Sequence, residues 1–245
     1  MEEKKTNEKL TQPEEYNKIY LDLIDFVSHE LKGILSSVIL NVYSLKQGIL
    51  GPINESQRKI LVSISRNLDY LSQTVKNFLN LSRIERGNLV LDKKEVLLKE
   101  EIFDIFDESF SQSLEEKSLK FENNLEDNCK VFADKELLQV VAHNLISNAL
   151  KYSLVGGRII VSSRKIDNEK IEVEVYNDGI PLKEEQLEKL FKRFSRILIK
   201  GQEKVKGTGI GLFISKEIVE RHNGLIWAEP KPQGNSFKFS LPLKK

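Results

Sequence analysis

Between Tyr16 and Leu50 an apolar side chain recurs every third or fourth position, through Ile19, Leu23, Phe26 or Val27, Leu31, Ile34, Val38, Val42 and Leu45. That period is helical, and its length commits the chain to one long helix. Gly48, Gly51 and Pro52 predict its end. Asn54 then reads as the N-cap of a second helix to about Glu85, with Gly87 as its closing glycine. Its stripe is Ile60, Leu61, Ile64, Leu68, Leu71, Val75, Phe78 and Leu79. Two long helices joined by a short loop predict an antiparallel hairpin. One hairpin buries both stripes poorly. Two copies bury them well as a four-helix bundle, so a homodimer is expected, the alternative being a hairpin packed on the rest of its own chain.

His29 stands apart within the first helix. A turn of about 100° per residue gathers Val27, Leu31, Ile34, Leu35, Val38 and Val42 into a buried sector roughly 80° wide. His29 lies roughly 170° from its centre. Gly33 and Ser36, both small, flank it on the outward face. Either this is an exposed histidine without a role, or it is open to a large partner.

The chain has 245 residues, room for one large or two ordinary domains. At 40% hydrophobic and 31% charged it has the composition of a soluble globular protein. A formal net charge of +1 gives no global electrostatic case for nucleic acid or an anionic membrane. The single cysteine, Cys129, excludes an intramolecular disulfide and suits a reducing compartment. No apolar run approaches the ~18–20 residues needed to cross a bilayer. The start, MEEKKTNEKL, is too charged for a signal peptide. Residues 1–15 read as a linker, 16–90 as the helical hairpin and 91–245 as a second domain.

That second domain mixes strands and helices. Strands are expected at 95–98, 118–123, 130–133, 158–166, 170–177, 224–229 and 236–242, with Gly234 and Asn235 turning the chain between the last two. Helices are expected at 100–116, from Asp134 as N-cap to about Tyr152, and from about Gly211 to His222. The fold class is therefore a helical hairpin followed by an α/β domain with a mixed or antiparallel sheet.

Three stretches of this domain carry polar residues in chemically useful places. Asn144, Asn148 and Lys151 fall on one helical side, at i, i+4 and i+7, opposite Leu145, Ile146, Ala149 and Leu150. Carboxamide oxygens can ligate Mg²⁺ and a lysine can meet a phosphate; the bland alternative is a solvated polar face. Tyr176-Asn177-Asp178-Gly179-Ile180-Pro181 follows a strand, where a polar side chain beside glycine can meet the edge of a heterocycle; alone it reads equally as a turn. Lys206-Gly207-Thr208-Gly209-Ile210-Gly211-Leu212 runs into a helix N-terminus, a backbone arrangement suited to phosphates, or a plain hinge. Its spacing is neither G-x-G-x-x-G nor a Walker A loop, which disfavours a Rossmann fold or a P-loop.

Together these stretches resemble, in order, the motifs of the sensor histidine kinases of two-component systems, over nearly all of residues 16–245. Ser28-His29-Glu30-Leu31 is similar to the H box, which implies His29 as phosphoacceptor and Glu30 as general base. Asn144 to Ser153 is similar to the N box, which implies Asn148 as Mg²⁺ ligand with Asn144, Lys151 and Tyr152 around the nucleotide. Asn177-Asp178-Gly179 is similar to the G1 box at the adenine, and Leu190 to Arg196 to the F box of the ATP lid. Gly207, Thr208, Gly209, Gly211 and Leu212 are similar to the G2 box at the phosphates. The ending Phe237 to Pro242 is similar to the last strand. The resemblance implies a dimerising hairpin and a Bergerat-type ATP-binding sandwich. It also implies ATP and Mg²⁺ as cofactors, autophosphorylation on His29 and transfer to an aspartate of a response regulator docked near His29 and Leu40. Lys151, Arg193, Arg196 and Lys206 become the candidate phosphate contacts, with Arg196 the preferred lid cation. The expected location is cytoplasmic, as the soluble part of a longer sensor.

Three departures stand out. Gly33-Ile34 replaces the usual Thr-Pro or Asn-Pro after the histidine, which counts against phosphatase activity. Asn177 stands where the family has Asp, so the adenine contact is uncharged. Pro181 replaces the second G1 glycine. These departures motivate a rival, a nucleotide-binding scaffold without phosphotransfer. An ATPase of the same superfold is disfavoured because Val140 stands where a water-activating acid would be. His143 and His222 are read as structural, with no metal-site spacing.

Overall fold

The computed structural model describes residues 12–197, 199, 205 and 207–243. Its contacts divide into two units, Met1–Leu89 and Val90–Lys245. In the first, helix α1 spans Gln12–Lys46 and α2 spans Glu55–Glu85. Asn54 opens α2 with a reciprocal cap: its Oδ1 accepts from Gln57 N at 2.9 Å, and Gln57 Oε1 accepts from Asn54 N at 2.8 Å. Gly87, at φ +69°, ends it in the left-handed region. Arg86 Nη2 pairs with Asp22 Oδ1 at 2.9 Å, tying the end of α2 to the early part of α1, as an antiparallel hairpin requires.

The expected buried stripe of α1 is divided. Within one chain the covered row is Leu21, Ser28, Leu35 and Val42, seven residues apart, while Val27, Ile34 and Val38 remain exposed. On α2, Leu61 and Val75 are buried and Ile60, Ile64 and Leu71 are exposed. A single facing helix covers a narrow seam, and both stripes are wider than that.

The second unit is an α/β sandwich. Strands β1 (Lys94–Leu97) and β3 (Lys130–Ala133) pair antiparallel. The main sheet comprises β2 (Lys120–Asn124), β4 (Arg158–Lys165), β5 (Lys170–Asp178), β6 (Ile226–Lys231) and β7 (Gly234–Pro242). Its order is β2-β4-β5-β7-β6, with β2 parallel to β4 and every other pair antiparallel. Alternation does the sorting. Ile159, Val161, Ile171, Val173, Val175, Phe237, Phe239 and Leu241 form the buried inner face. Opposite them, Arg164 grips Glu172 (2.7 and 3.0 Å) and Lys238 pairs with Glu229 (2.9 Å). Helix α4 (Lys135–Tyr152) contributes Leu138, Val141, Leu145 and Ile146 to the core, and α6 (Gly211–Arg221) contributes Ile214, Ile218 and Val219.

Three expectations change. Residues 100–116 are not one helix: a π-type turn at Leu98–Phe103 and one 3₁₀ turn at Asp104–Phe106 precede α3 (Asp107–Glu116). The wider turn lets the neighbours Ile102 and Phe103 both be buried. The irregular backbone is satisfied from outside, Gln139 Nε2 donating to Glu101 O at 2.9 Å. A short helix, α5 (Glu184–Leu190), was not anticipated. Gly234 and Asn235 lie in β7, not in the turn, which falls at residues 232–233. Gly234 is required because a Cβ there would come within 1.9 Å of Asn177 O.

Candidate active site

His29 lies on α1 with its side chain 85% exposed, and Glu30 Oε1 is 3.8 Å from its Nδ1. Adjacent helical residues point about 100° apart, yet the glutamate is long enough to curl back to the ring. A Cβ placed on Gly33 would meet nothing within 4 Å, so the surface beside the imidazole is open. Leu40, on the same helix, is also exposed.

In the second unit α4 is anchored at both ends. At its start Asp134 Oδ1 accepts from Leu137 N (3.1 Å) and Oδ2 from Asp92 N (2.9 Å). At its end Lys117 Nζ donates to Leu150 O (2.6 Å), Lys151 O (2.8 Å) and Ser153 O (3.4 Å), a cation on the carbonyl end of the helix. Between them Asn144 is buried and already bonded. Its Nδ2 donates to Gly211 O (3.0 Å) and Ser215 Oγ (3.2 Å), tying α4 to the start of α6. Asn148, one turn on, is half-buried, and its carboxamide makes no hydrogen bond among the described residues. Burial pushes the Lys151 ammonium below the ordinary lysine range. Burial pushes the Tyr152 hydroxyl up, against the opposing pull of the Arg196 charge, so Arg196 lies within electrostatic reach of Tyr152.

Asn177 ends the inner row of β5 and is 1% exposed. Its Nδ2 makes a long bond, 3.3 Å, to Asp178 O. A Cβ on Gly179 would come within 2.8 Å of that nitrogen and 2.9 Å of Tyr152 O, so glycine lets the strand end close against α4. Asp178 faces the other way. Its Oδ1 accepts from Tyr176 Oη (2.6 Å), and its Oδ2 accepts from Arg158 N (2.9 Å) and Nε (3.1 Å).

The glycine loop meets the same elements. Gly209 takes φ +71°, and a Cβ there would lie 2.8 Å from Phe194 C and Ser195 O. The loop and the segment at Phe194 therefore pack backbone to backbone. Thr208 Oγ1 accepts from Ile210 N at 3.4 Å. The first backbone bond of α6 is Ile214 N to Ile210 O, which leaves the amides of Gly211, Leu212 and Phe213 outside the helix ladder, as an anion site needs. Gly207 is half-buried at the start of this loop. Arg196 Nη2 donates to Val205 O (2.8 Å), and the Arg193 guanidinium sits 4.8 Å over the Phe194 ring. Lys206 lies outside the described residues.

The two other histidines are structural, as expected. His143 packs on Phe106 and Phe110, with ring centroids 5.8 and 5.4 Å away. His222 is fully buried; Nε2 accepts from Asp134 N (2.9 Å) and Nδ1 donates to Ile218 O (2.8 Å). Among the described residues no group of three or more His, Cys, Asp or Glu could hold a metal. Sequence reasoning missed Lys117 and Ser215, which act on the site through α4 and α6. A lysine in a charged run and a serine inside a helix carry no local signal of such contacts.

Residues 21–87 match the His Kinase A (phospho-acceptor) domain, and residues 133–245 match the histidine kinase-, DNA gyrase B- and HSP90-like ATPase family. The chain is 31% identical over 223 residues to the sensor histidine kinase CusS of Escherichia coli, covering 88% of this chain and 44% of that one. It is 28% identical over 239 residues to the sensor histidine kinase WalK of Bacillus subtilis, covering 96% and 39%. It thus spans less than half the length of either relative. The catalytic domain of histidine kinase ThkA, solved nucleotide-free, superposes with a TM-score of 0.55 at 30% identity, over 62% of this chain and 97% of that domain. ThkA in complex with the response regulator protein TrrA matches over 97% of this chain and 68% of that one, with a TM-score of 0.56 at 22% identity. No helix among the described residues is long and apolar enough to cross a membrane. An exposed histidine on a capped hairpin, joined in one chain to this sandwich and its glycine loop, accounts for both family matches: the chain belongs to the sensor histidine kinases of two-component systems.

Proposed function

We propose that the chain is an ATP-dependent protein-histidine kinase that phosphorylates itself on His29 and passes the phosphoryl group to an aspartate of a response regulator. The observation that carries this reading is the pairing of His29 with Glu30. The carboxylate lies 3.8 Å from Nδ1, near enough that a small side-chain rotation brings it into hydrogen-bond reach; this supports Glu30 as the base at Nδ1 and Nε2 as the nucleophile. Nε2 attacks the γ-phosphorus in line, the bond to the β,γ-bridging oxygen breaks, ADP leaves, and the Nδ1 proton passes to Glu30. Because phosphoryl transfer is mostly positioning and charge compensation, the second unit's task is to hold the nucleotide.

The unladdered amides at Gly211 and Leu212, with Gly207, Thr208 and Gly209, receive the phosphates. Lys151, whose ammonium is weakened by burial, regains its ordinary affinity for a proton beside a phosphate. Arg196 is the lid cation. Asn177, Gly179 and Tyr152 border the base. Asn144 orients the start of α6 through its Nδ2 and borders the nucleotide. Asn148 offers an unengaged carboxamide oxygen for Mg²⁺, which offsets phosphate charge when bound. The exposed rows on α1 and α2, Val27, Ile34 and Val38 with Ile60, Ile64 and Leu71, support a homodimer built as a four-helix bundle. A receiver domain would dock beside His29 and Leu40. The cytoplasm is the compartment in which this reading places the chain.

The test is incubation with γ-labelled ATP and Mg²⁺ beside His29→Ala. Label that is acid-labile and base-stable on the parent, and absent from the variant, is the expected result. ATP binding without label on either protein would replace the kinase with the scaffold reading. Phosphate released equally by both would make it a simple ATPase.

A further inference from the structure

The root of the lid is held by a side chain from the far end of the chain. Asn235 lies on β7 across from Asn177 on β5 and is 5% exposed. Its carboxamide is used at both ends. Oδ1 accepts from Leu182 N at 2.8 Å, and Nδ2 donates to Ile180 O at 2.9 Å. The two bonds straddle Pro181, which has no N–H of its own to offer. Next to them Gln233 O accepts from Gly179 N at 2.9 Å. Three hydrogen bonds from the β6–β7 hairpin therefore hold the backbone between the strand that carries Asn177 and helix α5. Helix α5 itself begins with Gln186 Oε1 accepting from Lys183 N at 2.8 Å, so the clasp and the helix start are contiguous. A carboxylate at position 235 could accept from Leu182 but not donate to Ile180, so only a group that is donor and acceptor at once makes this clasp.

We infer that Asn235 is a positioning residue for the nucleotide site: it fixes where the lid leaves the sheet and thereby holds Gly179 and α5 in place. This inference rests on the nucleotide reading above. The Leu182 side chain is itself buried, so the segment keeps a core anchor when the clasp is removed. A residue that served stability alone would lower the melting temperature and leave affinity untouched.

The test uses the whole chain and trinitrophenyl-ATP as probe, with the parent, Asn235→Ala and Asn235→Asp. Affinity is measured beside hydrogen exchange over residues 179–190 and thermal unfolding. Asn235→Ala, which removes both hydrogen bonds, is expected to bind at least about fivefold more weakly, the net worth of roughly one of them, with faster exchange at Leu182. Asn235→Asp keeps the acceptor for Leu182 but turns a carboxylate oxygen onto Ile180 O, so it should bind at least as weakly as Asn235→Ala. Affinity within twofold of the parent in a folded Asn235→Ala overturns the inference. Should that variant not fold, Asn235→Asp decides: weaker binding supports the inference and unchanged binding overturns it. A parent that fails to bind the probe would sink the nucleotide reading and this inference with it; a binding parent with unaffected variants sinks the inference alone.

Discussion

His222 should make the second unit acid-sensitive just below neutral pH. Its ring is fully buried and both nitrogens are committed, Nδ1 donating to Ile218 O and Nε2 accepting from Asp134 N. Protonation would turn Nε2 into a donor facing a donor. Burial is the main cause that lowers its pKa; Lys93 pushes the same way, and Ile218 O and Asp134 push back. The unfolded chain, with an ordinary histidine value of about 6.5, takes up a proton in the range where the folded chain does not. Stability is therefore fully present above about pH 6.5 and is lost as pH falls from there toward the folded value, at up to about 1.4 kcal/mol per pH unit. Glu229, held at about 2 by Lys231, Trp227 and Lys238, stays ionised throughout this window. His222→Gln is the informative variant, because its amide can accept from Asp134 N and donate to Ile218 O without titrating. Urea unfolding followed by the fluorescence of Trp227, the single tryptophan, reports this unit. The parent should lose stability between pH 6.5 and 5.5, by at most about 1 kcal/mol, and His222→Gln should lose much less. Equal losses in the two proteins would refute the assignment. Since Asp134 caps the helix carrying Asn148 and Lys151, nucleotide affinity should weaken over the same range.

Two further substitutions test the backbone. Gly33→Ala adds a methyl into open space on α1 and should stabilise the hairpin by about 1 kcal/mol, read as a higher far-ultraviolet melting temperature; a lower one would mean that another chain approaches closely there. Gly209→Ala must hold φ +71° with its Cβ 2.8 Å from Phe194 C and Ser195 O. It should lower Trp227-reported stability by about 1–2 kcal/mol and weaken nucleotide binding tenfold or more. Unchanged affinity would show that the glycine loop does not touch the phosphates.

The parts of this fold governed by local periodicity were legible. Alternation located β4 and β5, and the caps at Asn54 and Asp134 formed at those residues. Sequence glycines were harder to interpret, because a glycine that permits a turn and one that permits close approach look alike. Gly87 is the first kind and Gly234 the second. The π-type turn at Leu98–Phe103 was hidden because Ile102, Phe106 and Phe110 fit a regular helical stripe; burying Phe103 as well is a tertiary demand. The hairpin stripe was correctly apolar but only partly covered, since a sequence shows which face avoids water and not how many helices cover it. At the site, residues on α4, β5 and the glycine loop could be named from their motifs. Lys117 and Asn235 could not, because each acts on backbone groups more than thirty positions away.

On the proposal that Asn177 borders the base, the order Asn177-Asp178 decides what the base can meet. Successive strand residues point to opposite faces, so exchanging the two side chains moves the charge through the sheet. The acid at 178 is committed to the outer face: burial pushes it up, but Tyr176 and Arg158 together hold it below the usual carboxylate range; burial and Asp178 in turn raise the Tyr176 hydroxyl to about 12. It cannot swing inward without abandoning three hydrogen bonds. The inner position holds an amide whose one donated bond, 3.3 Å to Asp178 O, is long. A carboxylate there would only accept, and would favour a 6-amino purine over a 6-oxo purine. An amide can accept from the first or, turned over, donate to the second. On the reading that Asn177 borders the base, the parent should discriminate between ATP and ITP only a few-fold. Asn177→Asp should widen the ratio to about tenfold or more, because a carboxylate facing a carbonyl leaves two acceptors unpaired at roughly 1–3 kcal/mol. Competition of the two nucleotides against trinitrophenyl-ATP measures both ratios. Equal discrimination by parent and variant would place the base elsewhere, and would leave Asn177 as the polar end of an otherwise apolar row.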